Sequence, residues 1–262
     1  MIESCVFCER KCRANRLHER GFCGVSYDAR VSSAFIHMGE ESMLIPSGTI
    51  FFSGCNFRCC FCQNYDISQN PSAGRVWTAE EIASWIENIK AKNINLVGGE
   101  PTPNLHIILD ALALCKRNIP IIWNSNMYMS LEAMELLNGI VDLYLADFKY
   151  GNSKCAERLS SAPNYFEIVS RNHLIAQEQC DVLIRHLVLP GHLECCSRPT
   201  LRWIVENMDP EKTHVNIMRQ YRPVYKAHMH KEIDRLLSGD EYWSVVEYAE
   251  RLGLENYEIQ GL

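Results

Sequence analysis

The sequence predicts an α/β fold: a parallel (β/α)6 sheet curled into a barrel or partial barrel, behind a short cysteine-rich N-terminal extension. Three observations carry this. From Thr49 onward, apolar β-rich runs alternate with helical patterns six times. Residues that bear chemistry fall where those runs end. Residues 1–25 are polar, rich in cysteine and too short for a hydrophobic core of their own.

The elements follow in order. VSSAFIHMGEESMLIPSGTIFF reads as strands with turns at Met38–Glu41 and Pro46–Gly48. TIFFSG then precedes the helix AEEIASWIENIKA, INLVGG precedes LHIILDALALCKR, and IPIIWNS precedes SLEAMELLNG. VDLYLADF precedes NYFEIVSRNHLIAQEQ, DVLIRHLVLP precedes CSRPTLRWIVENM, and HVNIMRQ precedes HKEIDRLLS. A last helix, EYWSVVEYAERLG, leads to a short strand, NYEIQ. Apolar strands alternating with helices imply a parallel sheet with the helices packed outside it. Right-handed crossovers curl such a sheet toward a barrel. Chemistry in these folds gathers at the C-terminal ends of the strands. SGCNFRCCFC, GGEP, NSN, DFK, LPGH and MRQYRP stand there in turn. The domain reading is 1–47 for the extension with its strands and 48–262 for the barrel.

Composition narrows the class. The chain has 262 residues, 47% hydrophobic and 22% charged, with a net charge of −6. That balance argues against a protein whose main task is gripping a phosphate backbone, so no nucleic-acid partner is expected. No apolar run approaches the ~20 residues that span a bilayer. The start, MIESCVFCERKCRANR, lacks an apolar segment of signal-peptide type. A cytoplasmic protein without a membrane partner is the expectation. In that compartment the thirteen cysteines point to metal binding rather than to a disulfide framework.

The cysteines are grouped. Cys5, Cys8, Cys12 and Cys23 form one set, and Cys55, Cys59, Cys60 and Cys62 a second. Cys115, Cys155, Cys180, Cys195 and Cys196 are scattered and read as packing residues, Cys115 within the apolar pattern LDALALCK. The second set has two registers, C-x-x-x-C-x-x-C through Cys59 and C-x-x-x-x-C-x-C through Cys60. Thiolates suit iron–sulfur clusters or zinc. Three thiolates leave a four-metal cluster one iron short of protein ligands, whereas a structural zinc is normally closed by four.

The C-x-x-x-C-x-x-C loop, with Phe61 just before its last cysteine, resembles the radical SAM superfamily. The resemblance implies that Cys55, Cys59 and Cys62 hold a 4Fe-4S cluster. S-adenosylmethionine (SAM) would chelate the fourth iron, Phe61 would lie against the adenine, and Cys60 would be a bystander. It also implies that Gly98, Gly99 and Glu100 meet the SAM amino group. SGTIFFSGCNFRCCFCQNYDIS, VGGEPTPN, WNSNMY, ADFKY, RHLVLPGH and NIMRQYRPVYKA resemble pyruvate formate-lyase activating enzymes and their uncharacterised relatives, from about Gly48 onward. That likeness implies that Lys149 holds the SAM carboxylate and that Asp147 helps to coordinate a monovalent cation near the sulfonium. Ser125 and Asn126 are placed to meet the ribose or methionine moiety. Arg185 reads equally as a core ion or a SAM contact. His192, after Pro190-Gly191, reads as a surface residue. The same likeness implies that Met218 lies beside SAM, while Gln220-Tyr221 stand where the activating enzymes have a histidine.

The N-terminal set, C-x-x-C-x-x-x-C followed by Cys23-Gly24, fits a structural zinc or a second iron–sulfur cluster. The function implied is radical chemistry: one electron from a low-potential donor of flavodoxin or ferredoxin type, SAM cleavage, and hydrogen abstraction by a 5′-deoxyadenosyl radical. The substrate would be another protein, such as a glycyl radical enzyme, or alternatively a small molecule or nucleoside. A non-catalytic electron-transfer or metal-binding module would explain the cysteines but not GGEP, NSN and DFK.

Overall fold

Each of the six apolar runs read as a strand is one. The structure is a computed structural model and describes residues Met1–Ile259, so Gln260, the last residue of the expected strand NYEIQ, lies outside the described residues. The chain forms two units. The first comprises Met1–Asn56, Asn64–Ser125 and Met129–Leu143; the second comprises Phe57–Gln63, Asn126–Tyr128 and the chain from Tyr144 onward.

In the first unit the elements are β1 (Arg30–His37), β2 (Ser47–Phe52), α1 (Tyr65–Ser68), β3 (Arg75–Val76), α2 (Ala79–Asn88), β4 (Asn93–Gly98), α3 (Leu105–Leu114), β5 (Ile121–Ser125) and α4 (Leu131–Leu137). The strands lie in the order β3-β1-β2-β4-β5. β1 is antiparallel to β2 and β3, and β2, β4 and β5 are parallel, with Phe52 opposite Gly98 and Leu96 opposite Trp123. Nearly every residue of β2, β4 and β5 is buried, as expected of strands covered on both faces. α2 begins with a reciprocal Thr78–Glu81 capping box, and the Ser130 hydroxyl caps α4 by accepting from Ala133 N at 3.2 Å. The N-terminal extension docks on that same helix start. Ser130 N and Oγ both donate to the Phe7 carbonyl, and Cys8 pairs with Met129. The turn expected at Pro46–Gly48 is instead the start of β2. Ser47 Oγ donates to Asn93 Oδ1 at 2.6 Å, and a Cβ on Gly48 would crowd Ile94 and Ala91, so this punctuation fits the strand edge tightly.

The second unit contains β6 (Leu143–Asp147), α5 (Ser153–Ser160), α6 (Tyr165–Gln179), β7 (Asp181–Leu187), a π-helical turn (Leu193–Ser197), α7 (Arg198–Asn207), β8 (Thr213–Met218), α8 (Gly239–Arg251) and β9 (Tyr257–Ile259). The strands lie in that order, with β7, β8 and β9 parallel. Two helix expectations need correction. SKCAERLS, left unassigned between strand and helix, is α5: Asn152 Oδ1 accepts from Cys155 N at 2.8 Å at its start, and Ser161, at φ 51°, ends it. HKEIDRLLS is not a helix. Ile233 and Leu237 are buried at helical spacing, but Tyr221 Oη donates to the Ile233 carbonyl, and Glu241, the capping residue of α8, holds Ser238 N. After β8 the chain makes only a short 3-10 turn, Ala227–Met229, before α8.

Candidate active site

In the first unit the C-terminal ends of β2, β4 and β5 share one edge, because the three strands are parallel neighbours. Gly98 is at φ 123°, and a Cβ there would stand 2.1 Å from the Phe52 carbonyl oxygen. One on Gly99 would stand 2.2 Å from the Gly54 carbonyl oxygen, and Gly99 N donates to Phe52 O at 2.8 Å. The backbone that leads to Cys55 comes close to both glycines. Glu100 follows, only 2% exposed, and its Oε1 accepts from Thr102 Oγ1 at 2.5 Å and Ser125 Oγ at 2.7 Å. Two residues picked from separate motifs thus meet. Cys55 itself is buried beside Asn56.

In the second unit, the end of α5 and a loop carbonyl-to-amide tie hold Phe57–Gln63. Arg58 N donates to Ser160 O, Cys60 N to Leu159 O, and Lys226 N to Cys60 O. Ser160 Oγ donates to Cys59 Sγ at 3.0 Å and in turn accepts from Tyr150 Oη at 2.6 Å. Burial pushes the Cys59 thiol up to about 12; Cys62 adds to this, while Lys149 and Ser160 oppose it. Lys149 Nζ is bound to Asp147 Oδ2. Burial works against its ammonium, but Asp147, Cys59 and Cys62 more than offset that and raise its pKa. Phe148, between the two, lies in an aromatic cluster instead. It is fully buried, stacked on His173 at 4.8 Å and edge-on to Trp203 at 5.3 Å.

The remaining expected residues fall as follows. Phe61 is buried edge-to-face with Tyr221, ring centroids 5.7 Å apart. Cys60 is buried, its thiol pushed up to about 11 by burial, with both backbone groups occupied. Asn126 is buried and accepts from Tyr128 N. Met218 ends β8 opposite Leu187, and Arg185 lies within β7 opposite Asn216. Gln220 O accepts from Gln63 Nε2.

The N-terminal cysteines line a small turn-rich segment in the first unit. Cys5 and Cys23 are buried, Cys8 is half-buried and Cys12 exposed. Arg16, 1% exposed, aims Nη1 at Cys5 Sγ at 3.5 Å, while its Nε and Nη2 have no hydrogen-bond partner. A buried guanidinium without a carboxylate fits a segment whose thiols carry negative charge, as metal-bound thiolates do.

One group escaped the sequence reading. Cys155, His192, Cys195 and Cys196 bring their ligand atoms within 4.8 Å of one another. His192 is not at the surface but 2% exposed, because the Pro190-Gly191 turn leads directly into the π turn that carries the two cysteines. The signal in the sequence was His192-x-x-Cys195-Cys196, which puts three ligands within one helical turn. Cys155 lies far away along the chain and gave no hint.

Three soft thiols in a loop whose Cys59 is held by a hydroxyl and flanked by a lysine form a donor set suited to an iron–sulfur cluster. The comparisons agree. The profile of the radical SAM superfamily matches residues 49–204. The chain belongs to the radical SAM superfamily and is a radical SAM enzyme. It is 47% identical over 263 residues to the uncharacterized protein MJ0674 of Methanocaldococcus jannaschii, covering 97% of this chain and 77% of that one. It is 25% identical to the pyruvate formate-lyase 1-activating enzyme of Escherichia coli over 150 residues, 54% of this chain and 60% of that one. A radical SAM methyltransferase from Sphaerobacter thermophilus shares the fold, with a TM-score of 0.56 and 14% identity over 81% of this chain and 65% of that one. These neighbours establish the partial-barrel α/β class. Among the described residues, no helix is long and apolar enough to cross a membrane.

Proposed function

We propose that this chain reductively cleaves SAM and uses the resulting radical to take a hydrogen atom from a protein or peptide substrate. The observation that carries the reading is the loop of Cys55, Cys59 and Cys62, with Glu100 and Ser125 joined in one unit and Lys149 paired with Asp147 in the other. When bound, a 4Fe-4S cluster supplies the electron that splits SAM. The protein's part is to hold it and to orient the cosubstrate. Cys55, Cys59 and Cys62 are the thiolates that would hold the cluster. Glu100, fixed by Thr102 and Ser125, offers a carboxylate to an ammonium. Lys149 offers a point charge to a carboxylate, and its bond to Asp147 keeps it charged in a half-buried place. Phe61, Gly98, Gly99, Asn126, Arg185 and Met218 complete the candidate cosubstrate contacts. A reductant of flavodoxin or ferredoxin type would supply the electron.

A protein substrate is favoured by similarity to an activating enzyme. The test is anaerobic reconstitution with iron and sulfide, reduction, and addition of SAM. 5′-Deoxyadenosine released by the wild type and by Cys60→Ala, but not by Cys59→Ala, supports both the chemistry and the cysteine register. A fully loaded protein whose spectrum does not respond to SAM overturns the proposal. Adding candidate glycyl radical partners and looking for a glycyl radical by electron paramagnetic resonance tests the substrate class.

A further inference from the structure

Cys155 sits in the first turn of α5, and His192, Cys195 and Cys196 sit in and just before the π turn that follows β7. Cys155 Sγ is 3.8 Å from Cys195 Sγ, and Cys195 Sγ is 3.8 Å from Cys196 Sγ. His192 Nδ1 lies 3.4 Å from Cys195 Sγ and 3.5 Å from Cys196 Sγ. A tetrahedral zinc with bonds of about 2.3 Å to sulfur and about 2.0 Å to nitrogen separates two sulfurs by about 3.8 Å and a sulfur from a nitrogen by about 3.5 Å. Those are the separations found. Each contact alone is an ordinary packing or hydrogen-bond distance; three thiols and an inward-turned imidazole nitrogen with all their ligand atoms within 4.8 Å of one another make a ligand set.

We propose that Cys155, His192, Cys195 and Cys196 form a mononuclear zinc site, with three thiolates and His192 Nδ1 as ligands. The site is separate from the loop of Cys55, Cys59 and Cys62 and from the N-terminal set. Four protein ligands close the coordination sphere, which makes the site structural rather than catalytic. The surrounding groups suit it. Asn152 Nδ2 lies 3.3 Å from Cys155 Sγ and donates to Cys195 O at 2.6 Å, so one amide steadies both ligand-bearing segments. Glu232 Oε1 stands 3.8 Å from His192 Nε2. Arg158 Nη2 is also near that nitrogen, at 3.3 Å, but a guanidinium cannot accept a hydrogen bond. A ring bound to metal through Nδ1 carries its proton on Nε2, and Glu232 is the carboxylate beside it, at a distance beyond a direct hydrogen bond. Binding is an acid–base exchange with no redox change: the thiols give up their protons to solvent as zinc–sulfur bonds form.

The site ties the start of α5 to the segment after β7, and the far end of α5 holds Cys59 and Cys60. Its role is to fix that helix behind the cysteine loop.

The experiment uses the full chain, purified without oxygen from cells supplied with zinc. Iodoacetamide labelling of each cysteine is read by peptide mass spectrometry before and after chelation, and again after zinc alone is restored. The expected result is labelling of Cys155 and Cys195 about tenfold slower before chelation than after, recovered by zinc, while Cys115 and Cys180 label equally throughout. Zinc content is expected to fall by one equivalent in Cys155→Ser with iron and sulfide unchanged. Equal labelling with and without zinc overturns the proposal, as does a disulfide among the three thiols after anaerobic purification. If Cys155→Ser does not fold, the labelling of the wild type decides.

Discussion

Ser125 Oγ donates to Glu100 Oε1 at 2.7 Å, joining the end of β5 to the residue two past the end of β4. The carboxylate is thereby fixed before any ligand arrives, with Thr102 Oγ1 on the same oxygen. Glu100→Gln keeps an acceptor for both hydroxyls but loses the charge. It is expected to weaken SAM binding roughly 10- to 100-fold, the worth of about 1.5–3 kcal/mol for a charged hydrogen bond, with little change in melting temperature. Glu100→Ala also leaves two buried hydroxyls unpaired and is expected to lower stability by about 1–3 kcal/mol. Titration calorimetry and urea unfolding separate the two effects; an unchanged SAM affinity in Glu100→Gln would remove Glu100 from the site.

Ser160 donates a hydrogen bond to Cys59 Sγ. Hydrogen bonds to ligating sulfur raise a cluster's reduction potential, because they favour the more negative state. Ser160→Ala is therefore expected to shift the potential downward by tens of millivolts in an electron paramagnetic resonance titration. It also strands the Tyr150 hydroxyl, so the double variant Ser160→Ala, Tyr150→Phe is expected to regain part of the stability lost by the single one.

Lys149 is the cation beside Asp147, Cys59 and Cys62. Lys149→Met is expected to abolish detectable 5′-deoxyadenosine release. Lys149→Arg is expected to rescue it poorly, because a planar fork does not replace a compact ammonium in that space. Activity retained in Lys149→Met with normal cluster content would show that the lysine serves only to balance Asp147.

His173 and His186 titrate far from their usual pKa. Burial pushes both down to about 4, although each Nδ1 donates to a carbonyl, that of Val169 and that of Phe148 respectively. Both are neutral in the fold, and an unfolded histidine takes its proton near 6.5. Between those values the unfolded chain binds more protons, so stability is complete above about 6.5 and falls as pH drops toward about 4, by on the order of 3 kcal/mol per histidine. Unfolding by urea across that window should show the slope. His173→Phe, which keeps a ring against Phe148, should make it shallower; an unchanged slope would show that His173 does not contribute.

Much of this was legible in the sequence because the signals were local. Strands β2 and β4 to β8 announced themselves by apolar runs, and Glu100, Ser125, Asp147 and Lys149 stand at or just past the ends of such runs, whereas the two-residue β3 gave no signal. HKEIDRLLS misled because Ile233 and Leu237 have helical spacing while their backbone is tied by Tyr221 and Glu241 side chains from elsewhere. α5 was missed because its start depends on one cap, Asn152, rather than on a long apolar stripe. The meeting of Cys155 with Cys195 and Cys196 was not legible, since it depends on how α5 and the π turn pack.

Phe148 has a consequence of its own. It touches nothing reactive, yet it sits between Asp147 and Lys149 and is gripped by Tyr165, Phe166, His173 and Trp203. The two charged neighbours inherit their aim from that grip, like two spokes set by one hub. A saturation scan scored on turnover would rank Phe148 among the least replaceable positions in the chain, while a scan scored on ligand contacts would pass it over. Variation that accumulates in the aromatic cluster would be filtered by activity first and by folding second.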